Sequence, residues 1–280
     1  LRERARADFD LVGRCCDGLE GEDISRRVPL IQFLGIVGDE RAVLAMLQAG
    51  REESLRELVD STLVGLGDLS VSAMRPGWNR LGPDLQVRAC AILGQVGGAD
   101  AEALLVSSLR GTGAQSVAAA AKALGEGGFY GAMPDLVQRL EAAARGGDPD
   151  RAEEIEALIE AIAAMAERAE FADAALHAQL IDVLTSRLGG APEALRVAVA
   201  QVLARIGRPE DLERIDYLAK DASPLVRRAA ILAFARFEPT RVRAAMRLAL
   251  GDEASGVRIA AASVLARCGC RDALCDLERL

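Results

Sequence analysis

The side chains able to hold a metal or attack a substrate are few: six cysteines and one histidine. The cysteines are Cys15, Cys16, Cys90, Cys268, Cys270 and Cys275, and none forms a C-x-x-C pair. His177 stands about ninety residues from the C-terminal three. A zinc site takes four thiolate or imidazole ligands at suitable spacing, and these positions do not supply that pattern. Cys90 and Cys268 fall inside apolar helical stripes, where a free thiol acts as a small hydrophobe. A lone histidine cannot form a His cluster, and G-x-S-x-G, H-E-x-x-H and phosphate-loop patterns do not occur. Neither a catalytic constellation nor a metal or cofactor is therefore expected.

The remaining candidates are residues of recognition rather than reaction. Trp78, the only tryptophan, follows Pro76 and Gly77 and has Arg75 and Arg80 beside it. Trp and Arg are the types enriched at interface hot spots. Two readings stand: the ring caps a helix broken by Pro76-Gly77, or it offers an anchor to a partner. Phe129-Tyr130 is an adjacent aromatic pair at a turn, either packed beneath it or open to a partner. Arg243 and Arg247, with Arg241 nearby, are four residues apart and share a helix face. That face is either solvated or a site for an acidic peptide.

These candidates sit on a repeating helical frame. Leu195-Arg-Val-Ala-Val-Ala-Gln-Val-Leu-Ala-Arg-Ile-Gly207, Val226-Arg-Arg-Ala-Ala-Ile-Leu-Ala-Phe-Ala-Arg-Phe-Glu238 and Val257-Arg-Ile-Ala-Ala-Ala-Ser-Val-Leu-Ala-Arg-Cys-Gly269 align without a gap. Upstream, Leu34, Leu63, Leu93 and Leu124 each precede a glycine by four residues. The closing positions are 38, 67, 97, 128, 207, 238 and 269, with steps of 29 to 31 apart from one gap of 79. The gap has room for one longer unit, about residues 150 to 189, which makes eight.

Each unit reads as a helical hairpin. A glycine closes the first helix in the left-handed conformation, and apolar residues three and four apart mark the second. Pro83, Pro149, Pro192, Pro209, Pro224 and Pro239 punctuate helix starts, where a missing N–H does no harm. Pro29 falls inside a first helix and is expected to kink it. Gly94-Gln-Val-Gly-Gly98 and Gly125-Glu-Gly-Gly128 fall at closing turns, so they read as helix ends rather than nucleotide loops. The Val/Ile/Thr alternation of strands is absent. Apolar residues make up 51% but aromatics only 3%, so Ala, Leu, Val and Ile must build the core.

With this frame the chain resembles the HEAT-repeat superfamily, in the short form also seen in phycobilisome-lyase-like proteins. The helix-entry pattern is fullest in Asp221-Ala-Ser-Pro-Leu-Val-Arg227 and Asp252-Glu-Ala-Ser-Gly-Val-Arg258. The resemblance implies an all-α fold, a right-handed α-α superhelix (solenoid) of about eight HEAT-like helical hairpins. It also implies a structural ladder in which Asp221, Arg227, Asp252 and Arg258 hydrogen-bond neighbouring repeats. Leu85-Gln86 and Ser116-Val117 lack the arginine, so the ladder is expected to be interrupted upstream. The expected organisation is a cap or linker over 1–23, four units over 24–149, a longer irregular unit over 150–190 and three units over 191–280. Gly146-Gly147-Asp148-Pro149, followed by Glu153, Glu154, Glu156 and Glu160, reads either as a hinge or as an ordinary insertion.

Charge narrows the partner. The net charge is −8, but residues 191–280 hold 15 Lys and Arg against 12 Asp and Glu, leaving −11 on the first 190. An acidic chain poor in aromatics is a poor match for nucleic acid. No apolar run of about twenty residues marks a membrane span, and no secretory signal is visible. Reduced cysteines suit a cytoplasmic setting. The chain begins at Leu1 rather than Met and reads as part of a longer protein. Stacked hairpins offer extended surfaces to helices and peptides. The expected function is a protein–protein interaction scaffold or adaptor that holds a protein or peptide on its concave surface. The resemblance leaves a second class open, a HEAT-like enzyme of the bilin-lyase or DNA-glycosylase type.

Overall fold

An apolar stripe with a leucine about every thirty residues is buried only when successive helices pack in phase. The computed structural model describes residues 9–21, 23–145, 151–172, 174–185, 188 and 191–267, and their regular structure is all helical. By contacts the chain forms two compact units, Leu1–Ala132 and Met133–Leu280. The division falls inside the fourth hairpin, ahead of the Gly146–Pro149 stretch, which lies outside the described residues.

The first unit holds α1 (Phe9–Gly18), α2 (Ile24–Val37), α3 (Glu40–Ala49), α4 (Glu53–Gly65), α5 (Asp68–Met74), α6 (Pro83–Val96), α7 (Ala99–Leu109) and α8 (Ala114–Gly127). The first helices α2, α4, α6 and α8 pack side by side, and α3, α5 and α7 form a second layer. α1 packs on α2 and α3. Asp23 and Asp39 cap α2 and α3, each carboxylate accepting the backbone N–H two residues on, from Ser25 and Arg41. α2 continues through Pro29 as one helix.

Leu34, Leu63, Leu93 and Leu124, each four residues before a closing position, are fully buried. Each contributes about 2 kcal/mol of transfer free energy. Gly38, Gly67, Gly97 and Gly128 all have positive φ, which a side chain adopts only at a cost. Gly207 departs from that rule with φ of −56°. There glycine answers a close approach instead, because a Cβ would lie 2.5 Å from the Leu203 carbonyl oxygen.

The second unit holds α9 (Met133–Arg145), α10 (Ala152–Ala172), α11 (Ala174–Thr185), α12 (Glu193–Ile206), α13 (Leu212–Leu218), α14 (Pro224–Ala233), α15 (Pro239–Leu250) and α16 (Ser255–Arg267). α10, α12, α14 and α16 pack in succession as the first-helix layer, and α13 and α15 are second helices. Pro224 and Pro239 open their helices, and Pro209 opens a short 3₁₀ turn before α13. The long α10, of 21 residues, is fastened to α9 by a buried ion pair. Arg139 Nε donates to Glu154 Oε1 at 2.6 Å, and the Glu154 side chain is only 1% exposed. Of the four glutamates crowding this helix, Glu153, Glu156 and Glu160 face solvent and Glu154 does not.

Candidate partner-binding surface

Surface and joint must be told apart before a site can be assigned. In the second unit the joints are charged. Asp221 accepts from the Arg196 guanidinium at 2.7 Å and 3.0 Å, and from the Ser223 backbone N–H at 2.8 Å. Asp252 repeats this with Arg227, at 2.8 Å for both nitrogens, and with the Ala254 N–H at 2.9 Å. Arg227 also donates to the Asp221 and Ala222 carbonyls, and Arg258 to those of Asp252 and Glu253. Arg227 thus ties its own entry loop to the aspartate of the next hairpin, as Arg196 does through the Ala191 carbonyl and Asp221, in the two-pronged geometry that makes charged hydrogen bonds strong.

Both aspartates are held below the ordinary carboxylate range. At Asp252 the Arg227 hydrogen bonds dominate over burial. At Asp221 burial pushes upward, and the hydrogen bonds from Arg196 and Ser223, with the charges of Arg196 and Arg227, together outweigh it. Arg196 is a rung that the sequence did not single out, although Leu195-Arg196 aligns with Val226-Arg227. Its acceptor lies 25 residues ahead, in the following repeat.

In the third hairpin the same alignment places Gln86 where the arginine would be, and a neutral hydrogen-bonded chain takes the place of the rung. Ser116 Oγ donates to Gln86 Oε1 at 3.1 Å, and Gln86 Nε2 to the Trp78 carbonyl at 3.0 Å. Trp78 Nε1 in turn donates to Ser108 Oγ at 3.0 Å. Pro76 and Gly77 end α5 and turn the chain into a 3₁₀ segment, Arg75–Arg80, which delivers the indole inward until it is 4% exposed. Cys90 lies beside Ser108, and burial pushes its thiol up to about 12 against a hydrogen bond from Ser108. The first unit also has charged links, the most buried of them from Arg88 Nε and Nη2 to Asp60 at 2.9 Å and 2.7 Å. Trp78 is therefore closed to a partner, while Arg75, paired with Asp100, and Arg80 stay exposed.

Phe129 is likewise turned inward. Its ring covers Gly127, where a Cβ would lie 2.3 Å from it, and Tyr130 is half-buried in the 3₁₀ turn Tyr130–Ala132. Arg243 and Arg247 are exposed on α15, and the side chain of Arg241 lies outside the described residues. The structure buries Trp78 and Phe129 and leaves Arg75, Arg80, Arg243 and Arg247 exposed.

It does bring forward two residues that no local motif marks. Tyr217 on α13 is 62% exposed and Leu248 on α15 is 76% exposed. Each lies ten residues after a closing position, 207 and 238, so they are equivalents in adjacent hairpins. The same position holds Gln48, Gly77, Ser107 and Gln138 in the earlier hairpins. A cavity of about 390 Å³ lies beside Tyr217, walled by Thr185, Leu188, Glu213 and Arg214. A smaller one of about 100 Å³ lies where Leu248 approaches Asp216 and Lys220. Arg214 is paired with Asp211 at 2.8 Å, and Lys220 with Asp216 at 2.5 Å. The result is two apolar contacts in register, with carboxylates and paired cations around Tyr217 and the arginines of α15 beside Leu248.

No group of three or more His, Cys, Asp and Glu that could hold a metal occurs among the described residues. Cys15, Cys16 and Cys90 are free thiols. Cys268, Cys270 and Cys275, and the side chain of His177, lie outside what is described. No helix among the described residues is long and apolar enough to cross a membrane.

A model of HEAT repeats matches residues 181–266 and 213–280. No curated protein matches the chain in sequence. Among solved structures, the fold is similar to that of the karyopherin Kap121p bound to the extreme C-terminus of the protein phosphatase Cdc14p. That match has a TM-score of 0.59 and 13% identity, covering 92% of this chain and 33% of the karyopherin. The chain thus spans about a third of that protein's length, and the likeness is one of fold alone. Human deoxyhypusine hydroxylase matches at 18% identity over 84% of this chain and 99% of its own, with a TM-score of 0.34. The CpcE–CpcF phycocyanin lyase complex of Nostoc sp. PCC7120 matches at 18% identity over 91% and 86%, with a TM-score of 0.35. Residues 181–280 carry HEAT repeats, as the resemblance to that superfamily implied.

Proposed function

We propose that this chain, an all-α solenoid of HEAT-type hairpins, is a scaffold that holds a partner protein or peptide on the second-helix face of its second unit. The carrying observation is the pair Tyr217 and Leu248, large apolar side chains left open at equivalent positions of adjacent hairpins. A partner that buried both would recover roughly 1.5–3 kcal/mol from each. The repeat spaces the two contacts as a rigid pair, which suits a helix or peptide laid across the stacked hairpins. Arg243 and Arg247 on α15, a helix without a carboxylate, favour acidic side chains in that partner. The karyopherin of similar fold is bound to a protein C-terminus in its own structure, which supports this reading as a precedent for the architecture. The free thiols fit a reducing, cytoplasmic setting.

The test is affinity capture from a native lysate, with bound proteins identified by mass spectrometry. Wild type is compared with Tyr217→Ala/Leu248→Glu and with Arg75→Glu/Arg80→Glu. A partner lost on the first variant and kept on the second is the expected result. Loss on the second alone would move the site to the first unit. A copurified chromophore, or salt-dependent DNA binding with no protein partner, would sink the scaffold reading in favour of a lyase or glycosylase.

A further inference from the structure

We propose that the second unit carries another docking groove, on its first-helix layer, for a partner segment bearing aliphatic side chains flanked by Lys or Arg. The proposal rests on the scaffold reading, but not on the Tyr217–Leu248 face. The groove, of about 570 Å³, runs between α10 and α12 and ends at the start of α14. Ile155 and Ile159, one turn apart on α10, face Val197 of α12 across its floor. Leu225 closes one end and is 55% exposed, on a layer whose other leucines are mostly buried. A trough of this size accepts two or three aliphatic side chains.

The rim selects the charge of the occupant. Glu156, Glu160 and Glu193 line it, and Arg205 is the only cation among the lining residues. Arg205 is already engaged, at 2.5 Å from Glu160 and 3.4 Å from Glu167. With Glu160 offset by Arg205, Glu156 and Glu193 leave the rim negative beside a low-dielectric apolar wall, which attracts ammonium and guanidinium groups and repels acidic segments and phosphate backbones. The groove therefore differs in sign from α15, which carries Arg243 and Arg247 and no carboxylate. One scaffold unit has two faces for two kinds of segment.

The experiment pans a displayed library of random peptides against the full chain. The same pool is counter-screened on Leu225→Glu, on Glu156→Lys/Glu193→Lys and on Leu248→Glu. All the altered side chains are exposed, and circular dichroism of each variant checks the fold. The expected clones bind wild type and Leu248→Glu, are lost on the other two, and carry net positive charge with at least two aliphatic residues. A synthetic peptide from such a clone should bind Glu156→Lys/Glu193→Lys at least tenfold more weakly than wild type, and should weaken as salt rises. Groove-dependent clones that are neutral or acidic, or an absence of any, would overturn the proposal. Clones lost only on Leu248→Glu would do so while leaving the scaffold reading intact, and clones indifferent to every variant would remove both.

Discussion

In the second unit, neighbouring hairpins are joined by Arg196–Asp221 and Arg227–Asp252, two copies of one charged device set 31 residues apart. In the third hairpin, within the first unit, the aligned position is Gln86, and a neutral chain runs through Ser116, Gln86, Trp78 and Ser108. The charged rung is made from two side chains and an entry turn, so it can be copied from repeat to repeat. The neutral joint needs a unique indole and a broken helix to bring it inward. A rung lies near the surface and answers to acid and salt, whereas the Trp78 network is dry and contains no titrating carboxylate. The same division appears on the outside: the position ten past the closing residue is polar or small in the early hairpins and is Tyr217 or Leu248 in the later ones.

Trp78→Ala should do the most damage. It empties a core site and leaves Ser108 without its donor, at a cost of about 3–5 kcal/mol. Trp78→Phe keeps most of the ring and should cost about 1–2 kcal/mol. Urea unfolding followed by circular dichroism measures both, and a loss below about 1 kcal/mol for the alanine variant would deny the indole its role. Asp252→Ala comes next, at about 1–3 kcal/mol, because the Arg227 fork loses its acceptor in a half-dry site. Arg227→Lys should lose roughly half as much, since one ammonium cannot make the paired contact.

Acid separates the two joints more sharply. The folded-state values of Asp221 and Asp252 lie below the ordinary carboxylate range. The unfolded chain therefore takes up protons first as pH falls. The stability from the rungs is complete above pH about 4 and is lost below it, as pH falls through the folded values. The cost of Asp252→Asn, read from urea midpoints, should accordingly be larger at pH 5 than at pH 3. The cost of Trp78→Phe should be the same at both. The smallest stability effect belongs to Tyr217→Ala/Leu248→Gln, within about 0.5 kcal/mol of wild type, because both side chains are exposed. If that pair destabilised the fold by more than 1–2 kcal/mol, the residues would be structural and the proposed surface would be wrong.

The repeat was legible because one signal recurs in phase. Leu34, Leu63, Leu93, Leu124 and Leu203 are all buried at the position the closing frame assigns them. Gly207 was in frame for a different reason, a carbonyl approach rather than a positive φ. The helix break at Pro76-Gly77 was readable from local chemistry. The direction in which Trp78 then points was not, because Ser108 and Gln86 belong to the next hairpin. Arg196 was missed on the same ground, its acceptor lying one repeat ahead. Tyr217 and Leu248 carry no motif and emerge only when outward positions of successive hairpins are set side by side. The groove over α10 needed the packing of α12 and α14, which no spacing in α10 reports.

Hydrogen exchange read by mass spectrometry, on the chain alone and with its captured partner, tests the central claim most directly. Protection should rise in Leu212–Leu218 and Pro239–Leu250, leaving residues 68–109 unchanged. Protection confined to 68–109, with α13 and α15 unaffected, would contradict the assignment of the binding face to the second unit.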